Sequence, residues 1–177
     1  DMKLTNTIAT LCVLCSQAAF ATESVSERQP ISMTSKLIAE GTNRAFTFTV
    51  NTSSPDEVWR LWTSPATWGD WDKGLKSASL DGPMQLGSKG TIVPLKGAAT
   101  SFEVVEFKPP QSYVFETKLP MARLRVERSF NVDRTAFTHS VSFTGASAAV
   151  FARMFGPGFR KALPPTMQLL NQLAQGE

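Results

Sequence analysis

Histidine occurs once in this sequence, tyrosine once and cysteine twice. The lone His139 excludes a metal site built on paired imidazoles and leaves one residue whose ordinary pKa lies near neutral pH. Both cysteines, Cys12 and Cys15, lie in an N-terminal run that reads as a removable targeting segment. Their C-x-x-C spacing allows a redox or metal pair, or apolar filler in a cleaved peptide, and the surroundings favour filler. Neither Thr10-Leu11 nor Val13-Leu14 supplies the small residues expected before a lipid-modified Cys. Beyond that segment there is no thiol, so folding rests on the core without a disulfide. Also missing are a phosphate-binding glycine loop, a G-x-S-x-G elbow and H-E-x-x-H, and no cofactor is called for. Charge is sparse: 18 Lys and Arg against 15 Asp and Glu give +3, scattered apart from Lys118, Arg123, Arg125 and Arg128. Nucleic-acid binding would need a denser basic stripe, so no nucleic-acid partner is expected.

What is present suits one globular domain with a sizeable core: 177 residues, 42% hydrophobic and 19% charged. Asp1 ahead of Met2 reads as an added residue; Lys3, the apolar run Leu4 to Phe20 and Ala19-Phe20-Ala21 read as a signal peptide over 1–21. The run is too short and too rich in Thr and Ser to span a bilayer. A periplasmic or secreted protein is therefore expected, with the short positive region favouring a bacterial periplasm. Residues 22–43 are polar and read as a flexible leader with one helical turn around Lys36 to Glu40. Asn51-Thr52-Ser53 is a glycosylation sequon, relevant only in a eukaryotic host.

The domain opens at Arg44. Phe46, Phe48 and Val50 alternate with Ala45, Thr47 and Thr49, a half-buried strand. Ser54-Pro55-Asp56-Glu57 then reads as a capping box with proline at the first helical position. Val58, Leu61 and Trp62 share a helical face, Ser64-Pro65 ends that helix, and Ala66 to Trp71 forms a second short one. Six further strands are predicted over Lys73–Leu80, Gly90–Lys96, Thr100–Phe107, Ser112–Leu119, Arg123–Val132 and Ala136–Thr144, joined by short turns as an antiparallel meander. The last segment turns helical. Ala148, Phe151, Ala152 and Phe155, then Phe159, Leu163, Met167, Leu170 and Ala174, make one apolar face, with a kink or break expected at Pro164-Pro165.

This order resembles the START-like, or Bet v 1-like, superfamily (SRPBCC), whose bacterial members include polyketide cyclase/dehydrase and lipid-transport proteins. The matching residues are Ser54-Pro55-x-x-Val58-Trp59, Trp68-x-x-Trp71, Val105-Glu106-Phe107-x-Pro109-Pro110, Phe137-Thr138-His139-Ser140-Val141-x-Phe143-x-Gly145 and Phe155-Gly156-Pro157. The resemblance spans Arg44 to Glu177. It implies an α+β helix-grip fold, a seven-stranded curved antiparallel sheet wrapped around a long C-terminal helix, with two short helices after the first strand. It also implies an enclosed apolar cavity for a lipid, sterol, quinone or polyketide. Fold alone does not separate binders from enzymes within such a group.

Two polar residues are expected on the concave face. His139 alternates with Phe137, Val141 and Phe143, and is either a polar handle or general base for a ligand, or an inward histidine satisfied by a backbone or carboxylate partner. Arg128 shares a face with Leu124, Val126, Phe130 and Val132, and is either ion-paired to Glu106 or Glu116 or a clamp for a ligand carboxylate. Both are also the only catalytic candidates. Trp62, Trp68, Trp71, Tyr113, Phe115, Phe155 and Phe159 are expected as apolar ligand-binding walls, with plain core packing as the alternative for each aromatic. Asp70 and Asp72, flanking Trp71, read as a solvated turn. Leu119 and Met121, at a hairpin tip beside Lys118, Arg123 and Arg125, are candidates for transient contact with an anionic membrane, or form an ordinary turn.

Three functions follow. The leading one is a binding or transfer protein for a hydrophobic small molecule or lipid. The others are a cyclase or dehydratase acting on a polyketide-like substrate through His139 or Arg128, and an envelope interaction module with a collapsed interior.

Overall fold

A computed structural model describes residues 34–40 and 43–176. The expected signal peptide over 1–21 and the first part of the leader lie outside the described residues. Strand β1 spans Thr34–Glu40 and β2 Asn43–Asn51. Helix α1 (Pro55–Trp62), a 3₁₀ turn (Pro65–Thr67) and helix α2 (Trp68–Trp71) follow. Then come β3 (Leu75–Leu80), β4 (Lys89–Pro94), β5 (Thr100–Lys108), β6 (Ser112–Leu119), β7 (Ala122–Phe130), β8 (Ala136–Gly145) and helix α3 (Ala148–Gln175).

All pairings are antiparallel, in the order β1-β2-β8-β7-β6-β5-β4-β3. The seven expected strands form a curled half-barrel with the long C-terminal helix and the short helices after the first of them, a helix-grip α+β fold. An eighth strand, β1, adds to the edge of β2 where a flexible leader with a helical turn at Lys36 to Glu40 was expected. The sheet edge offers unpaired backbone donors and acceptors, which a polar segment can satisfy whatever its side-chain pattern.

Two further expectations are corrected. Ser54 caps α1 without a side-chain hydrogen bond, and Glu57 turns outward to Arg60, so the capping box does not form. Instead the Ser54 N–H donates to Thr52 Oγ1 at 3.1 Å, and Arg134 ties the helix start to the β7–β8 turn through Asp56 at 2.7 Å. Helix α3 runs unbroken through Pro157, Pro164 and Pro165. Each proline deletes a helical donor, but Leu163, Thr166, Met167 and Leu170 are buried around the pair, and tertiary burial outweighs those lost bonds.

Helix α3 rests on β2, β8 and the two short helices. Its approach to β2 depends on Gly156: a Cβ there would stand 2.3 Å from Cζ of Phe46. At the far side of the sheet, β4, β6 and β7 curl away from α3, and the site lies in that gap.

Candidate functional site

The gap is a cavity of about 530 Å³, within the range of small-molecule sites. Its floor comes from β6 (Phe115, Thr117), β7 (Leu124, Val126, Arg128) and β8 (His139, Val141). The residues alternate because the strands do: every second side chain points to the concave face. Helix α3 closes it with Phe155, Gly158, Phe159, Ala162, Leu163 and Thr166, and Trp68 and Asp72 close the α2 end. Ile92, Pro94, Lys96 and Thr100 complete the rim.

Among the expected walls, Trp68, Phe115, Arg128, His139, Phe155 and Phe159 line this cavity. Trp62, Trp71 and Tyr113 do not; all three are fully buried behind it. Trp62 packs between Phe130 (5.1 Å between ring centres) and Phe137 (5.4 Å), a core role. Sequence reasoning missed Asp72 and Thr117, and it placed Leu124 on the inward face with Arg128 without naming it as a wall. Asp70 is exposed, as a solvated turn predicts, but Asp72 lines the cavity. The alternation of β6 and β7 was enough to find Thr117 and Leu124; nothing in the sequence signalled the turn of chain that brings in Asp72.

Arg128 is the unusual group. It is 2% exposed, and its guanidinium carbon lies 4.3 Å from the Trp68 ring centre, 4.9 Å from Trp71, 5.5 Å from Phe115 and 5.7 Å from Tyr113. The expected ion pair with Glu106 or Glu116 does not form. Those carboxylates lie on the opposite face of the sheet, where Arg125 bridges both and Arg123 joins Glu116 at 2.9 Å. Val132 is also off the inward face, at 95% exposure, because β7 ends at Phe130. Among the described residues no carboxylate lies within 4.0 Å of the Arg128 guanidinium.

Among the described residues its one hydrogen bond runs from Nη1 to the Tyr113 hydroxyl at 2.5 Å. Tyr113 in turn donates to the Trp62 carbonyl at 2.6 Å, and Trp68 Nε1 donates to the same oxygen at 3.0 Å. That carbonyl is one of the last in α1, which the helix itself leaves without a donor. The end of α1 thus anchors the ring wall around Arg128. Burial pushes the Tyr113 phenol up to about 12, with the Arg128 charge and hydrogen bond opposing.

His139 stands directly across the β7–β8 ladder from Arg128 and is 4% exposed. Among the described residues its Nδ1 has no hydrogen-bond partner, neither a carboxylate nor the backbone. Burial first, and the Arg128 charge second, hold its pKa well below the ordinary value of 6.5. The imidazole is neutral at pH 7 and offers one donor and one acceptor. Asp72 Oδ1 accepts from the Gly74 N–H at 3.0 Å, and burial raises its pKa against that bond and the Arg128 charge.

The His139 shift has a definite sign in stability. Above about pH 6.5 the ring is neutral in both folded and unfolded chains; below it the unfolded chain takes up a proton that the native site refuses. Stability is fully present above 6.5 and falls toward acid by up to ~1.4 kcal/mol per pH unit. Asp72, shifted upward from 3.8, acts oppositely, contributing stability at low pH that is lost as pH rises through its native value. Denaturant melts between pH 7 and 5 should show a slope that His139→Phe flattens; an unchanged slope would assign it to other groups.

At the rim, Phe155 is 45% exposed and stacks on Phe151, 6.0 Å between ring centres. At the β6–β7 tip Met121 is 76% exposed and Leu119 half-buried. Of the three cations expected beside them, Arg123 and Arg125 are ion-paired, and among the described residues Lys118 is not.

Comparison with known proteins agrees with this architecture. The sequence model of a family described as polyketide cyclase / dehydrase and lipid transport matches residues 45–173. Curated protein sequences yield no match. Solved structures that share the fold include a protein from Nitrosomonas europaea, 12% identical, with a TM-score of 0.59 over 78% of this chain and 97% of that one. A protein from Mesorhizobium loti is 19% identical, with a TM-score of 0.54 over 75% of this chain and 97% of its own. Norcoclaurine synthase from Thalictrum flavum, solved with dopamine and hydroxybenzaldehyde, is 10% identical, with a TM-score of 0.53 over 81% of this chain and 98% of its own.

Proposed function

Because the chain belongs to the polyketide cyclase/dehydrase and lipid transport family, with a START-like, Bet v 1-like fold, we propose that it binds or transfers a hydrophobic small molecule or lipid. The observation that carries this reading is the cavity of about 530 Å³, walled by Trp68, Phe115, Val126, Val141 and Phe159, with Arg128 and His139 as a polar pair on its floor and Asp72 and Thr117 among its other polar contacts. Apolar burial drives binding at roughly 25 cal/mol per Å², and the polar pair sets orientation. The cavity argues against the third alternative, an interaction module with a collapsed interior. The N-terminal run over 1–21 supports export, and thus a carrier working in the periplasm or outside the cell. Exchange with a membrane at the β6–β7 tip would use Met121, Leu119 and the unpaired Lys118.

Native mass spectrometry with lipid extraction, on protein purified from its own host, should show a co-purifying apolar molecule lost from a Val126→Trp variant. Protein without ligand in every preparation, in a chain that also fails to bind apolar probes, would overturn the carrier reading.

One observation favours a second reading, cyclisation or dehydration. A neutral imidazole with an unpartnered nitrogen beside a buried cation can take a proton from a carbon next to a carbonyl while the cation stabilises the resulting oxyanion. Full turnover by His139→Ala of any substrate found would remove His139 from such a mechanism.

A further inference from the structure

Arg128 is a buried guanidinium with no carboxylate within 4.0 Å among the described residues. Six ion pairs occur among the described residues, and none includes Arg128. A buried cation without a counter-ion is among the costliest arrangements a fold can hold. The aromatic box around it recovers part of that cost through ring quadrupoles. The hydrogen bonding is lopsided as well. Nη1 is committed to Tyr113, while among the described residues Nε has no partner and Nη2 makes no bond. Nε is buried, whereas Nη2 keeps N–H donors of the kind that pair with a carboxylate oxygen.

Arg128 lines the cavity, and among the described residues Nη2 is its one nitrogen that is neither hydrogen-bonded nor fully buried, which makes Nη2 the receiving donor. His139 faces Arg128 across the ladder and carries an unpartnered nitrogen of its own. Asp72 is the acid facing the same cavity, and it does not reach the guanidinium within ion-pair distance. Its raised pKa weakens it as a standing counter-ion. The cavity also has a direction. Along β7 its lining runs Leu124, Val126, Arg128, so the guanidinium lies farthest from the β6–β7 tip, while exposed Lys96, Thr100 and Phe155 mark the rim.

We propose that the ligand is an apolar acid that enters carboxylate first, its head received by the unbonded Nη2 of Arg128 with His139 beside it and its apolar body lying along Val126, Val141 and Phe159 toward the rim. This rests on the reading of the cavity as a site for a hydrophobic ligand. It goes further by fixing the chemical class of that ligand and its orientation.

The test compares a fluorescent fatty acid, cis-parinaric acid, with its methyl ester at pH 7.5, alongside the neutral apolar probe N-phenyl-1-naphthylamine. Charge-assisted hydrogen bonds predict that the acid binds about 10- to 100-fold more tightly than the ester. In Arg128→Gln the two should bind within about 3-fold of each other, a residue of the weaker neutral bond. N-phenyl-1-naphthylamine should bind both proteins alike, and Lys96→Ala should keep the full preference for the acid. Equal binding of acid and ester by the parent chain, with the neutral probe bound, would overturn this inference and leave the cavity reading standing. A preference that survives Arg128→Gln, or that disappears in Lys96→Ala, would place the anion elsewhere and overturn it too. No binding of any of the three probes would overturn the cavity reading itself. If Arg128→Gln fails to fold by circular dichroism, Arg128→Met serves in its place, and the acid–ester ratio of the parent chain remains decisive.

Discussion

Arg128→Met should melt at a higher temperature than the parent chain. The usual expectation for a buried arginine is the reverse, because removing one partner of an ion pair strands the other. Here, among the described residues, no carboxylate within 4.0 Å is left behind. Two losses oppose the gain: stacking on Trp68 and Trp71, worth ~2 kcal/mol when desolvated, and one hydrogen bond to Tyr113, worth ~1 kcal/mol net. Tyr113 keeps its bond to the Trp62 carbonyl, so it is not orphaned. Against these stands the several kcal/mol effective penalty of holding an ion away from water. Methionine fills the box with a polarizable chain that packs well against aromatic edges. The balance favours the variant by ~1–2 kcal/mol, or about 2–8 °C for a chain of this size. Thermal unfolding followed by circular dichroism reads this directly. A lower melting temperature would mean that the aromatic box and Asp72 together already compensate the charge.

Trp62→Ala carries the other large effect, in the opposite direction. The ring is fully buried and lies 5.1 Å from Phe130, 5.4 Å from Phe137 and 6.5 Å from Tyr113. Its Nε1 has no partner, so the substitution costs no side-chain hydrogen bond, and the loss is transfer free energy plus a void. About 3–5 kcal/mol is expected, roughly a fifth or more of the stability of an ordinary domain. Because Trp62 does not line the cavity, the folded fraction should bind the neutral probe with unchanged affinity. Denaturant unfolding together with probe titration separates the two effects. Weakened binding in fully folded protein would return Trp62 to the site.

These outcomes depend on distinctions that local pattern could make only in part. Alternation along Leu124–Phe130 and Phe137–Phe143 was sufficient to turn Arg128 and His139 inward, because a half-buried strand has a period of two. The same rule extended one step too far at Val132, where the Asn131–Thr135 turn ends the strand. It could not say what faces Arg128. Glu106 and Glu116 were plausible partners by strand proximity, yet they occupy the outer face with Arg123 and Arg125. Trp62, Trp68 and Trp71 were equivalent as aromatic residues near the opening helices. Only the packing of α1 against Phe130 and Phe137 put Trp62 in the core and left Trp68 on the cavity.

By itself the sequence determined the succession of strands, short helices and long C-terminal helix, because hydrophobic period and turn chemistry are local properties. It also determined the family resemblance and the inward direction of Arg128 and His139. Tertiary structure decided the rest: that β1 pairs with a sheet edge, that α3 continues through its prolines, that Asp72 reaches the cavity, and that Arg128 stands without a carboxylate beside Trp68 and His139. The physical reason is that each of these depends on which surfaces remain unsatisfied once distant segments meet. Open backbone groups, a space between helix and sheet and an unpaired charge are properties of the assembled chain.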